Sequence, residues 1–276
     1  MRGRNPWTRK LGALVMALAL CVGLLPGTAL ATGENSWEHP SHDSGWTALT
    51  ADKLTELDYT LSNGKYYLSG TADEWGESYI LETTQQLTIT GTVALCLNNT
   101  RYTYEGSSDA AIVISEGADL IICCCQSDEW GNYDGMVSNS NVSYGIYNAG
   151  PLTVTGGGIF INQENGAAIY NAGTCTISGG SMNGTAGWWE NYKTAYGIFN
   201  ANGAKLTISG SPSISGTAPG DMNDPSGPQI DILTYDMIYV DDLDTSSFEN
   251  YKSYNIGYYG TPGEAVVSGV AGVLDP

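Results

Sequence analysis

From Tyr144 to Gly216 apolar and polar residues alternate in short runs, and the runs recur: GIYNAGPLTVTGG at Gly145, AIYNAGTCTISGG at Ala168 and GIFNANGAKLTISGS at Gly197. Repetition at about 20 to 35 residues marks a repeat architecture. Aligned, the units give columns: Ile146, Ile169, Ile198; Tyr147, Tyr170, Phe199; Asn148, Asn171, Asn200; Leu152, Cys175, Leu206; Val154, Ile177, Ile208. Between the last two columns stand Thr153, Thr176 and Thr207, the period of a strand with one buried face. Gly158-Ile-Phe-Ile161 supplies a third short run. Three strands and Gly-rich corners in about 23 residues predict one turn of a parallel β-helix, with like side chains stacked about 4.8 Å apart. The fold class expected is all-β, a right-handed parallel β-helix.

Asn148, Asn171 and Asn200 fit a ladder, because a corner Asn can adopt left-handed backbone and bond the Asn of the next turn. The competing reading is a plain Asn-Ala-Gly turn. Tyr147, Tyr170 and Phe199 form an outward column, read as a stack joining turns or as a platform for a glycan.

Weaker matches extend the pattern. Ile112, Ile114, Leu120 and Ile122 take the offsets of Ile198, Asn200, Leu206 and Ile208; so do Ile230, Ile232, Ile238 and Val240 and, faintly, Leu81, Thr83, Leu87 and Ile89. About six turns are expected over 79–242. Trp46 to Leu57 reads as a short helix capped by Thr50, in an N-terminal cap over 46–78 that covers the open end. Residues 32–45, which hold His39 and His42, read as a structureless leader, and 243–276 as a second cap or linker. The excess over 23 residues per turn is expected between the third strand of one turn and the first of the next, at Asn98 to Asp109, Gln126 to Ser143, Thr185 to Tyr196 and Thr217 to Pro228. Such insertions would share one edge of the solenoid, where function is expected.

Arg2, Arg4, Arg9 and Lys10 precede an apolar run from Leu11 to Leu25 and an Ala29-Leu30-Ala31 site, so residues 1–31 read as a secretory signal peptide cleaved after Ala31. The protein is therefore expected outside the cell or on its surface. The 276-residue chain carries 10 cations and 29 acids, net −19; removing four cations and no acids leaves six against 29, net −23. That charge repels nucleic acid and anionic membranes. No second long apolar stretch predicts a transmembrane span.

The five cysteines beyond Cys21 are Cys96, Cys123, Cys124, Cys125 and Cys175. Cys96 could be bridged to one of Cys123 to Cys125 if neighbouring turns bring them together. Paired C-x-x-C spacing is absent, so no metal site is expected. Cys175 reads as a small core residue at a Leu position.

The runs GKYYLSG, VALCLNN, LIICCC and the repeated IYNAG and LTISGG resemble the pectin-lyase-like parallel β-helix repeat region of secreted or cell-surface adhesin-like proteins of gut Firmicutes. There a Cys-Leu-Asn-Gly stretch and a Leu-x-Leu-Cys-x-Cys stretch come before such repeats; Cys96 matches the first, Cys123 and Cys125 the second. Asn99 stands where the family has Gly, and Cys124 where it has a polar residue. The resemblance implies a fold and a location more than a chemistry. Relatives of this fold that cleave polysaccharides use Asp-Asp, Gly-His-Gly and Arg-x-Lys motifs; here Asp241-Asp242 is the one Asp-Asp pair and Arg101 the one arginine past residue 31. Glycoside hydrolysis by two carboxylates is the enzymatic alternative, and a structural spacer the third reading.

The leading expectation is adhesion to a glycan or to a host or bacterial surface component. Trp130, Tyr133, Trp188, Trp189 and Tyr192 lie among Asn and acidic residues in the long loops, a mixture suited to sugar faces and hydroxyls; the alternative is that they anchor the loops. No cofactor is expected. Calcium is the one ion the loops suggest, through Asp128 with Asp134 or Asp221 with Asp224, without a full ligand pattern.

Overall fold

The computed structural model describes residues 42, 45–72, 79–125, 135–139, 142–186, 194–210, 212–217, 232–234, 238–240 and 256–258. Three stacked sheets wind around one apolar core. The asparagine sheet stacks Thr60–Leu61, Leu87–Ile89, Ala110–Ile114, Tyr144–Asn148, Ala167–Asn171, Tyr196–Asn200, Ile232–Thr234 and Ile256–Tyr258. The threonine sheet stacks Trp46–Leu49, Gly64–Leu68, Thr92–Cys96, Asp119–Cys123, Pro151–Val154, Thr174–Ile177, Lys205–Ile208 and Ile238–Val240. A third sheet holds Thr71–Ala72, Tyr79–Thr83, Thr100–Tyr104, Met136–Asn139, Gly158–Asn162, Ser181–Thr185 and Ser213–Ser215. The chain visits them in that order, turn after turn. Among the described strands every pairing is parallel except that of Thr71–Ala72 with Tyr79–Thr83.

Register makes the columns literal. Ile146 pairs with Ile169, and Ile169 with Ile198; Leu152 pairs with Cys175 and Cys175 with Leu206. All are buried, and each column continues the core from one turn to the next. In the third sheet the inward column is Leu81, Tyr102, Val137, Ile159, Met182 and Ile214. Gly173 is required at its corner, because a Cβ there would fall on the carbonyl oxygen of Gly150 in the turn before. Gly180 is required by its φ of +83°.

Two offsets differ from those expected. Leu87 and Ile89, not Leu81 and Thr83, pair with Ile112 and Ile114, while Leu81 lies in the third sheet opposite Tyr102. At the far end Ile232, not Ile230, pairs with Ile198, and Thr234 takes the place opposite Asn200. Period-two alternation is the same in all three sheets, so without an Asn corner it does not say which sheet a strand joins.

The expected helix is also shorter. Trp46–Leu49 is a strand paired with Lys65 to Leu68, and the helix is Ala51–Glu56, with the Thr50 hydroxyl accepting from the Lys53 amide at 3.2 Å. Leu54 buries its side chain, and Leu57 packs partly against the core. The stretch 46–78 thus contributes parallel strands to the stack as well as this helix.

The insertions do not share one edge. Asn98 to Asp109 contains the third-sheet strand Thr100–Tyr104, and Gln126 to Ser143 contains Met136–Asn139. Within the second of these stretches the chain therefore passes from the threonine-sheet strand ending at Cys123 to the third-sheet strand starting at Met136. Residues 186–195 and 216–231 follow third-sheet strands and lead to the asparagine sheet. The first connection enters a third-sheet strand and the others leave one, so they do not fall at one and the same corner of the turn.

Candidate functional site

Each sheet presents a different outer face. On the asparagine sheet the side chains of Asn148, Asn171 and Asn200 are buried. Asn148 Nδ2 donates to Asn171 Oδ1 at 2.8 Å, Asn171 Nδ2 to Asn200 Oδ1 at 2.7 Å, and Asn200 Nδ2 to Thr234 Oγ1 at 3.1 Å. Two of the Oδ1 atoms also serve their own corners: Gly150 N donates to Asn148 and Gly173 N to Asn171, both at 3.2 Å. These asparagines close strands in extended backbone; the left-handed conformation expected of them occurs instead at Asn98, Asn99 and Asn165.

Outside the ladder, Tyr147 and Tyr170 stack with centroids 5.2 Å apart and planes within 9°, and Tyr170 and Phe199 at 4.9 Å and 10°. Parallel rings this close must overlap face to face with an offset. Tyr144 leans on Tyr170 at 4.6 Å and 45°. The faces a sugar would need are thus turned on one another, and what remains outward is ring edges. This column ties turns together.

The threonine sheet carries Thr153, Thr176 and Thr207 in a half-buried outward column. At its N-terminal end that column continues as Ile121, Ala94 and Lys65, and the column beside it, two residues on, holds Tyr67, Cys96 and Cys123 in register. The described cysteines are free thiols. Cys96 Sγ lies 3.5 Å from Cys125 Sγ, while Cys123 Sγ donates to the Leu95 carbonyl at 3.8 Å. The hydrogen bond with Cys123, then burial, pushes the Cys96 thiol far above its ordinary range; burial, then the neighbouring Cys96, pushes Cys125 up to about 12. Cys175 is fully buried between Leu152 and Leu206, and burial raises its thiol too.

The third sheet carries a mixed polar face, open at Arg101 and Glu82 and half-buried along most of the rest. One outward column runs Ile80, Arg101, Met136, Gly158, Ser181 and Ser213; the next runs Glu82, Thr103, Ser138, Phe160, Asn183 and Ser215. Phe160 folds back over Gly158, where a Cβ would come within 2.7 Å of its Cε2 and 3.2 Å of Met136 Cβ. Glycine leaves the ring room to lie there, half-exposed, with Ser138 and Asn183 as its register neighbours on either side. The side chains of Ser138 and Asn183 make no hydrogen bond among the described residues. Arg101 and Glu82 are exposed on adjacent strands at the lower end of the same face.

Of the expected binding residues, Trp130, Tyr133, Trp188, Trp189 and Tyr192 lie outside the described residues, as do Asp128, Asp134, Asp221, Asp224, Asp241 and Asp242. Phe160, Ser138, Asn183 and Arg101 were not singled out from the sequence as binding residues. Their signal was a third-strand run whose outward positions become polar around one aromatic, visible only once the strands are in register.

No protein-family model matches the chain. No curated protein matches it, and no solved structure does.

Proposed function

We propose that this protein is an exported β-helix of the pectin-lyase-like kind that binds a carbohydrate chain without cleaving it, using the outer face of the third sheet. The observation that carries the reading is Phe160 lying over Gly158 between the free polar groups of Ser138 and Asn183. An apolar ring set among hydroxyl and amide groups suits a sugar, whose C–H face packs on the ring while its hydroxyls bond the rim. Successive strands about 4.8 Å apart offer a linear polymer repeated polar contacts along one direction. Export is inferred from the basic, then apolar, then Ala-Leu-Ala pattern of residues 1–31.

Charge selects among glycans. A chain with net −19, more acidic still without its first 31 residues, disfavours uronate polymers and favours neutral ones. Among the described strand residues of that face Glu82 is the one carboxylate, so a cleavage mechanism based on two carboxylates finds no pair there.

A glycan array probed with the wild-type chain and with Phe160→Ala and Asn183→Ala tests the reading. Binding of neutral polysaccharides that falls at least about tenfold in Phe160→Ala is expected, from the loss of one sugar-packing ring. No binding by the wild type, or binding unchanged in both variants, overturns it. Release of reducing ends or of unsaturated products from bound polymer would move the protein to the enzymatic class.

A further inference from the structure

The cysteine column has a neighbour that sequence spacing does not reveal. His42 packs against the solenoid, stacked on Tyr67 with centroids 4.0 Å apart and planes within 17°, its edge toward Trp46 at 5.5 Å and 75°. Tyr67 stands beside Cys96 in the same outward column. The stack brings His42 Nε2 to 3.8 Å from Cys125 Sγ, which is 3.5 Å from Cys96 Sγ. All three donor atoms lie within 4.8 Å of one another.

We propose that His42, Cys96 and Cys125 form a binding site for a thiophilic divalent cation of the zinc class. A tetrahedral ion with bonds of about 2.3 Å to sulfur and about 2.0 Å to nitrogen holds neighbouring donors roughly 3.5 to 3.8 Å apart. The 3.5 and 3.8 Å separations already match that edge. Asn98 Oδ1 lies 3.7 Å from Cys125 Sγ, and its amide nitrogen is held by the Leu68 carbonyl at 3.0 Å. That oxygen, or a water, takes the fourth corner. On binding, the two thiols release their protons to solvent and the imidazole donates its Nε2 lone pair.

A simple disulfide between Cys96 and Cys125 explains the sulfurs but leaves the convergence of His42 and Asn98 without a use. The aromatic contacts fix the imidazole from behind, as outer groups do around ligating histidines. The site joins three segments far apart in the chain: the stretch before the first strand, the end of Thr92–Cys96, and the residue two beyond Asp119–Cys123. Its role is therefore to fasten His42, which precedes the first strand, to the threonine sheet.

The test is titration of the full chain, reduced and anaerobic, with Co²⁺ as the spectroscopic probe and Zn²⁺ as competitor. One Co²⁺ per chain is expected, with thiolate-to-cobalt charge transfer and the intense visible bands of a tetrahedral site, both displaced by Zn²⁺. Cys125→Ser should roughly halve the thiolate-to-cobalt band at saturation and weaken binding roughly a hundredfold, and His42→Ala should weaken it at least about tenfold with altered visible bands. Cys175→Ala, in the core between Leu152 and Leu206, should leave stoichiometry and spectrum unchanged. Circular dichroism of each variant separates loss of ligand from loss of fold. The proposal is overturned if the folded, reduced wild type shows no thiolate band. It is equally overturned if Cys125→Ser and His42→Ala both leave the spectrum and the affinity unchanged, or if Cys96 and Cys125 oxidise to a disulfide at the same rate with Zn²⁺ as without.

Discussion

Asn171 stands between two copies of itself, taking a 2.8 Å hydrogen bond from Asn148 and giving one of 2.7 Å to Asn200. Its amide nitrogen also reaches the Lys205 carbonyl at 3.0 Å, and its oxygen accepts from Gly173 N. One buried side chain thus completes four hydrogen bonds. Asn171→Ala leaves several of these partners buried and unpaired, at about 1 to 3 kcal/mol each before relaxation. We expect a loss of about 3 to 5 kcal/mol in chemical denaturation. A loss below about 1 kcal/mol would show that water replaces the ladder.

Tyr170 is the middle ring of its stack. Tyr147→Ala and Tyr170→Ala, singly and together, should give a coupling of about 0.5 to 1.5 kcal/mol in a double-mutant cycle. Glycan affinity should not change in Tyr147→Ala, because ring faces already paired are closed to sugar.

Tyr102 occupies an apolar column and its hydroxyl, fully buried, has no hydrogen-bond partner among the described residues. Burial drives its ionisation well above the ordinary phenol range. The neighbouring Thr83 hydroxyl is committed to the Gln85 carbonyl. Tyr102→Phe should therefore leave stability unchanged or raise it by about 1 kcal/mol, read from the midpoint of thermal unfolding.

Burial raises the pKa of Asp119, whose strand pairs with Thr92 to Cys96. A carboxyl raised on folding favours the native state while protonated, below its unfolded pKa, and that advantage is lost as pH rises through the folded pKa. Asp119→Asn should then melt higher than wild type at neutral pH. The difference should vanish below about pH 3, where both are neutral.

Gly173→Ala sets a Cβ against the Gly150 carbonyl, backbone that cannot rotate aside. A destabilisation of about 2 kcal/mol or more is expected in a denaturant titration. Gly203→Ala, where a Cβ meets open space but φ is +82°, should cost closer to about 1 kcal/mol.

The central turns were legible because Ile146, Ile169 and Ile198 each carry an aromatic and an Asn directly after them, which fixes the sheet as well as the inward phase. Leu81 and Ile230 lack that Asn: the strand that takes the column is the next one on from Leu81, and the residue that takes it is Ile232, two on from Ile230. Thr100–Tyr104 escaped notice since its inward residues, Tyr102 and Tyr104, do not read as apolar alternation. The third sheet's polar face was illegible for another reason: Phe160 and Asn183 become neighbours through register across turns. His42 was hidden by distance, 54 residues before the nearest of its sulfur partners.

Successive rungs of the ladder are 23, 29 and 34 residues apart in the chain, yet the hydrogen bonds joining them span only 2.7 to 3.1 Å. Contour length and axial rise are thus uncoupled. A lineage can lengthen, shorten or rewrite the connections between strands without paying in alignment, so new recognition surfaces can be tried on a frame that never has to refold around them.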